Sequence, residues 1–263
     1  MGEVNILHHA EELEPVIVQE FTDMDEYSRF KFGDGNAGHK YGTLLGNLVL
    51  GEPDNLLSTE EVYVASAAYR VAPPAAESLL RPFANAAGQT ARAAGTDTIF
   101  TPFKVSKTRM MTGNYAGMSF EERSRTIQND LTLPEGLNLE GKKVVILDDI
   151  RVTGLREAAL EQLLERAGVE HTSFYYVLNV PHGKNFPQTE ALINIRAVRT
   201  IDDVLTLATQ ANFIPNVRLC KFILSQNLQE IERFCASAPR DVVDTILHYI
   251  KADDLETVVK AIP

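Results

Sequence analysis

Apolar residues along the chain fall into two spacings. Short unbroken runs bounded by turn residues predict buried strands, and runs recurring every three to four residues predict helices. Val62-Tyr63-Val64-Ala65 is β-branched and aromatic and predicts a strand. Pro73-Pro74 opens a segment with apolar residues at Ala76, Leu79, Leu80, Phe83 and Ala87. That spacing predicts a helix stopping at Gly88, with Pro82 as a point for a kink or split. Thr98-Ile99-Phe100-Thr101 predicts a second strand. Residues 104–130 are polar and basic, with Lys104, Lys107, Arg109, Arg123 and Arg125, and read as a long loop. Within it, Ser119 and Glu122 have capping-box spacing for a short helix at 119–129. The clearest strand is Val144-Val145-Ile146-Leu147. A helix follows it, with Ala158, Ala159, Leu163, Leu164 and Ala167 on one face and Gly168 as its stop. Residues 173–180 predict a further strand, and 191–201 a last one.

Strands that alternate with helices of about 12 to 15 residues predict an α/β fold with a parallel sheet and right-handed crossovers. The ends differ from this middle. Six glycines lie between Gly33 and Gly51, and the chain from Asp202 onward reads as helices, with Pro239 in a first-turn position. The expected organisation is a lead-in segment over 1–60, a core over 61–201 and a helical appendage over 202–263.

Composition narrows the class. The 263 residues are 44% hydrophobic and 23% charged, which excludes disorder, collagen and coiled coil. A net charge of −11 argues against a duplex nucleic-acid partner, though not against a local cationic pocket. Cys220 and Cys235 cannot make a disulfide framework or a four-cysteine zinc site, and are expected as packed thiols in a reducing compartment. His8 and His9 fall near an expected loose terminus, and no His/Cys/carboxylate cluster has zinc spacing. Met1 to Glu20 holds no secretory pattern and no apolar run approaches the ~18 residues of a membrane span, so the cytoplasm is expected, without a membrane partner. A structural or interaction protein would fit these numbers too. Function has to come from motifs.

The informative stretch is Val144-Val145-Ile146-Leu147-Asp148-Asp149-Ile150-Arg151-Val152-Thr153-Gly154. A buried strand ends in two carboxylates, a turn with Thr153 and Gly154 follows, and a helix begins. Ligands of open α/β sheets bind beyond the carboxyl ends of the strands, and free amides at a helix start attract anions. A sugar phosphate meets both demands, with its diol on Asp148 and Asp149 and its phosphate in the turn. An ATPase strand would also end in acids, but it needs a phosphate loop upstream. Gly33 to Tyr41 places its lysine one position late, and no Ser or Thr follows. The same segment is G-x-G-x-x-G at Gly33, Gly35 and Gly38, yet the polar run before it is a poor strand for a dinucleotide site.

The eleven-residue stretch resembles the phosphoribosyl-pyrophosphate signature of type I phosphoribosyltransferases, and element order extends the resemblance over 62–200. The resemblance implies that family's parallel-sheet core with helices on both faces, an N-terminal hood and here a C-terminal helical appendage. It implies that Asp148 and Asp149 hold the ribose hydroxyls and a Mg²⁺ through water. Residues Ile150, Arg151, Val152, Thr153, Gly154, Leu155 and Arg156 then surround the 5-phosphate. The family usually continues with Gly and then Thr or Ser, where Leu155 and Arg156 stand here. Arg156 or Arg151 is expected to supply the missing phosphate contact. Ala68, Tyr69 and Arg70 occupy the place of the pyrophosphate loop, and Lys104, Lys107 and Arg109 that of the catalytic loop, which closes over pyrophosphate as lids do. Phe30 or Phe32 in the hood would stack on a base or simply pack in the core, and His182 lies past a strand end.

The implied reaction is displacement at the anomeric carbon of phosphoribosyl pyrophosphate, or its reverse on a nucleotide. A regulatory binding module of the same fold is the second reading, and a homodimer is compatible with both. Tyr27 to Asp34, Pro73 to Ala76 and the acidic motif also resemble the phosphoribosyltransferase-like proteins of bacterial tellurite-resistance and stress operons, which implies stress-linked nucleotide chemistry.

Overall fold

A computed structural model gives the structure of the chain and describes residues 3–9, 23–51, 56–108, 130–152, 154–180 and 189–256. Five strands form one parallel sheet: β1 (Glu3–His9), β2 (Glu61–Ser66), β3 (Ile99–Pro102), β6 (Lys143–Arg151) and β7 (His171–Asn179), in the order β1-β7-β6-β2-β3. Two short strands, β4 (Ser106–Lys107) and β5 (Leu131–Thr132), pair antiparallel where the long basic segment leaves and returns. The central strand β6 is buried along nearly its whole length, which explains its continuous apolar run. It runs on to Arg151, so the acidic pair belongs to the strand rather than to a turn after it.

On one face lie α1 (Met24–Lys31), α2 (Gly35–Asn47) and α3 (Leu80–Ala93), which share a core with Val62, Val64, Val145, Leu147 and Tyr175. On the other face α4 (Leu155–Arg166) buries Ala159, Leu160 and Leu164 against Ala65, Val144, Ile146 and Phe174. Helices α5 (Thr189–Asn194), α6 (Ile201–Ala208), α7 (Val217–Leu224), α8 (Leu228–Ser237) and α9 (Arg240–Ala252) follow. The last four share a separate core, and Phe32 from the end of α1 is inserted into it. Asp253 ties this appendage to the sheet side by accepting from the Val71 and Ala72 amides.

Several expectations need correction. The terminus around His8 and His9 is not loose: β1 is the edge strand of the sheet, with Ile6 opposite Tyr176 and His9 opposite Asn179. The 191–201 strand is absent. Helix α5 occupies its start, and Thr200 opens α6 through a capping box with Asp203. The helix expected to stop at Gly88 runs through it to Ala93, and Gly95 at φ +80° ends it. Pro82 lies in the first turn, where no amide bond is lost, and the split falls at Leu79, where a 3-10 turn gives way to α3. Cys235 is exposed, while Cys220 is packed as expected.

The glycine-rich stretch Gly35–Asn47 is a close-packed helix. Gly38, Gly42 and Gly46 recur every fourth residue on α2, and a Cβ at Gly42 would sit 2.6 Å from the Leu79 carbonyl oxygen. Asp34 caps the helix by accepting from the Asn36 and Ala37 amides. A helix, not a strand, precedes Gly33, which removes the dinucleotide reading of that G-x-G-x-x-G. No helix among the described residues is long and apolar enough to cross a membrane.

Candidate functional site

Neighbouring strand positions point to opposite faces of a sheet, and β6 divides its acidic pair accordingly. Asp149 meets Lys31 of α1, with Nζ 2.5 Å from Oδ2, and both side chains are buried. Asp148 turns toward α4, where Arg156 Nη1 is 3.7 Å from its Oδ2. The Asp149 amide donates to Asp148 Oδ1 at 2.9 Å, and strand pairing passes from Asp148–Tyr176 to Ile150–Leu178 around it. Burial pushes the Asp148 carboxyl up, and the charge of Asp149 adds to that. Burial opposes ionisation of Asp149 as well, but Lys31, with Arg156 and Arg218, outweighs it and holds this carboxyl below the ordinary range. Among the described residues Asp149 Oδ1 is buried and has no hydrogen-bond donor.

Asp149 lines a cavity of about 540 Å³, within the usual span of small-molecule sites. Its charged lining is Lys31, Arg70, Lys107, Arg156, Arg218 and Lys221 against Asp130 and Asp149. A chain with 36 acidic and 25 basic residues thus gathers six cations around one space. Burial pulls the Lys107 ammonium down to about 8, with Arg156 pressing the same way. Lys221 is lowered by burial and then by Arg218 and Arg156. Crowded, desolvated cations of this kind favour an anion between them.

The elements fix the cavity wall from several sides. Gly154 caps α4 at φ +72°, a conformation that favours glycine, and no side chain among the described residues caps the helix start. Ala67, Ala68, Tyr69 and Arg70 follow β2 and line the cavity. The Ala67 amide donates to the Leu147 carbonyl and the Tyr69 amide to that of Val105. Tyr69 is also held by Glu77, which accepts from Ser66 Oγ at 2.6 Å.

The expected residues do not all converge. Asp149, Ala68, Tyr69, Arg70, Lys107 and Arg156 line the cavity, whereas Asp148 is buried and does not. Lys104 is turned away: its ammonium donates to the Arg70 carbonyl at 2.6 Å and sits 4.2 Å from the centre of the Tyr69 ring. Arg151 forms a two-point pair with Glu157, which also accepts from the Tyr176 hydroxyl. Of the two arginines considered for the phosphate, only Arg156 faces the cavity. Ile150 is buried in the core and Val152 packs against it, while Leu155 opens α4. Arg109, Thr153, His182 and the 119–129 helix lie outside the described residues. Phe30 is a core residue, and Phe32 is buried yet touches the cavity rim.

Lys31, Arg218 and Lys221 escaped the sequence reading. Lys31 carried one signal, a lysine between two core aromatics, and is only 3% exposed. Arg218 and Lys221 carried none beyond a spacing of three on a helix. Among the described residues, no group of three His, Cys, Asp or Glu side chains could hold a metal alone.

An open parallel sheet with an acid pair at the end of its central strand and a cationic cavity beyond it belongs to the phosphoribosyltransferase-like class. The chain is a member of the PRTase ComF-like family, whose model it matches over residues 4–255. A search of curated proteins finds no match. Among solved structures, the chain is similar to a hypoxanthine-guanine phosphoribosyltransferase of Bacillus anthracis at 15% identity and TM-score 0.33, covering 57% of this chain and 70% of that one. A hypoxanthine phosphoribosyltransferase of Staphylococcus aureus aligns at 13% identity and TM-score 0.35, covering 65% and 74%. The hypoxanthine-guanine enzyme of L. donovani aligns at 9% identity and TM-score 0.36, covering 60% and 77%.

Proposed function

We propose that this chain binds phosphoribosyl pyrophosphate, or the matching nucleotide, and transfers or removes a phosphoribosyl group at the anomeric carbon of a nucleobase-like substrate. The observation that carries this reading is Asp149, which lines a cavity together with six cations and whose buried Oδ1 has no hydrogen-bond donor among the described residues. A ribose hydroxyl would satisfy that oxygen, and phosphates suit a cavity whose Arg70, Lys107 and Arg156 stand together. The 5-phosphate fits the amides at the start of α4 beside Arg156. Pyrophosphate fits the Ala67–Arg70 wall with Lys107.

In this reading Asp149 orients the ribose, and Asp148 holds the Asp149 backbone and Arg156 in place. Displacement passes through an oxocarbenium-like state, so no side-chain nucleophile is needed. Arg70 and Lys107 meet the negative charge that develops on the leaving pyrophosphate, and the cavity wall excludes water from the anomeric carbon. Mg²⁺ takes most of its ligands from phosphates and water, so the lack of a three-carboxylate cage among the described residues fits it. Asp148 and Asp149 would hold it through water. When bound, it supplies positive charge at the pyrophosphate.

Calorimetric titration with phosphoribosyl pyrophosphate and Mg²⁺, followed by assay of pyrophosphate release over a nucleobase panel, tests the proposal. Binding and turnover with one base are expected. Asp148→Asn together with Asp149→Asn is expected to abolish binding, and retained binding would refute the site. Tight binding without turnover for any base would assign the chain to the regulatory modules instead.

A further inference from the structure

The cavity has a wall that the sugar-phosphate reading leaves unused. Helix α7 of the appendage lines it with Val217, Arg218, Lys221 and Phe222. The opposite face of α7 is anchored, since Leu219, Cys220 and Ile223 are buried in the appendage core. Its start is fixed to the rest of the site. Asn216 caps the helix, its amide group donates to the Lys31 carbonyl, and the Val217 amide donates to that of Pro73. Phe222 meets Phe32 edge-on, with ring centres 5.3 Å apart, which gives the wall an apolar patch beside its two cations.

We propose that α7 is the acceptor-reading wall of this site, and that Arg218 and Lys221 select a flat heterocycle bearing an acidic substituent. The inference rests on the phosphoribosyl reading above and names the substrate class for it. Three considerations support it. In the phosphoribosyl reading the 5-phosphate is assigned to Arg156 and the pyrophosphate to Arg70 and Lys107, all lining the cavity. Lys221 is half-buried among like charges and has no carboxylate partner among the described residues. A neutral base would leave that cation desolvated and unpaired, whereas a ring carboxylate would pair with it while the ring edge rests on Phe222 and Phe32.

Matched ligands separate the acidic group from the rest. Orotidine 5′-monophosphate and uridine 5′-monophosphate differ by one ring carboxylate, and adenylosuccinate and adenosine 5′-monophosphate by a succinyl group. Calorimetry on the full chain is expected to show at least one acidic member binding more tightly than its neutral partner, by about tenfold or more, the worth of one charge-assisted hydrogen bond. Arg218→Gln with Lys221→Gln is expected to erase that preference while leaving the affinity for ribose 5-phosphate within about threefold, a change of under 1 kcal/mol. Arg218→Lys with Lys221→Arg keeps both charges and is expected to keep the preference, which separates charge loss from misfolding. Equal affinities within both pairs overturn the inference, as does a preference that survives the glutamine variant. An equal loss of ribose 5-phosphate and acidic-base affinity overturns it too, and would give the two cations to the sugar phosphate. Failure of the unaltered chain to bind ribose 5-phosphate is a separate result, which removes the phosphoribosyl reading itself.

Discussion

Replacing Lys31 with Met removes the ammonium beneath Asp149 and keeps the apolar stem. At 2.5 Å and an effective dielectric near 20, the pair attracts by about 7 kcal/mol before desolvation. Desolvation offsets much of this, but removing one partner of a buried pair still costs about 3–5 kcal/mol, because the other charge is left uncompensated. Here the penalty falls on a carboxylate whose second oxygen has no donor among the described residues. For a chain of this size that corresponds to a Tm lower by roughly 6–20 °C, at about 2–4 °C per kcal/mol. The pH dependence gives the sign. In the unaltered chain the folded Asp149 value lies below the ordinary one, so its stabilisation is present above about pH 4 and is lost as pH falls through the folded value. Without Lys31 the largest charge opposing burial is gone and Arg156 and Arg218 remain, so that value rises and the variant takes up a proton on acidification. Its deficit relative to the unaltered chain is therefore expected to be largest at pH 8 and to shrink by pH 5. Adding Asp149→Asn to Lys31→Met is expected to recover most of the loss. Urea unfolding at both pH values is the assay. A deficit below about 1 kcal/mol at pH 8, no change on acidification, or no recovery in the double variant would refute the reasoning.

Three further outcomes follow from the same geometry. Pyrophosphate affinity is expected to fall as pH rises from 7 to 9, because Lys107 gives up its proton near 8, and to lose that fall in Lys107→Gln; calorimetry across pH reads both. Arg156→Ala is expected to weaken ribose 5-phosphate binding by about tenfold or more, whereas Arg151→Ala, which breaks the pair with Glu157, is expected to leave binding nearly unchanged; equal effects would contradict the assignment of the cavity cation. Gly42→Ala is expected to cost about 1–3 kcal/mol in urea unfolding, because its Cβ meets the Leu79 carbonyl oxygen at 2.6 Å, with Gly51→Ala, where a Cβ meets nothing within 4 Å, as the near-neutral control.

What the sequence disclosed follows the range of the forces involved. Strands β2, β3, β6 and β7 and helix α4 announce themselves because both faces of the sheet are covered, leaving unbroken apolar runs and clean stops. The glycine-rich stretch gave no helix expectation because glycine has poor helix propensity, a preference overridden by tertiary packing of α2 on the turn before α3. The four-residue period of Gly38, Gly42 and Gly46 was the readable sign. The 191–201 run failed because Leu192, Ile193 and Ile195 belong to a short helix and its exit rather than to a strand face. In the site, Asp148, Asp149 and Arg156 are local to one motif and were visible. Lys31 lies 118 residues from its partner, and Arg218 and Lys221 come from another core, so no periodicity links them to the motif.

Lys31 and Phe32 are adjacent in the chain but serve different masters. Lys31 neutralises the acid at the end of the central strand, and Phe32 fills the core of the appendage. Their Cα atoms are held about 3.8 Å apart by one peptide unit, so neither can shift far without the other. Docking of the tail and neutralisation of the acid are therefore one event. A ligand that seats in the cavity strengthens the tail's attachment, and prying off the tail strips the acid of its counterion. The chain should melt in a single cooperative step, and a core cut free of its tail should lose the site along with it.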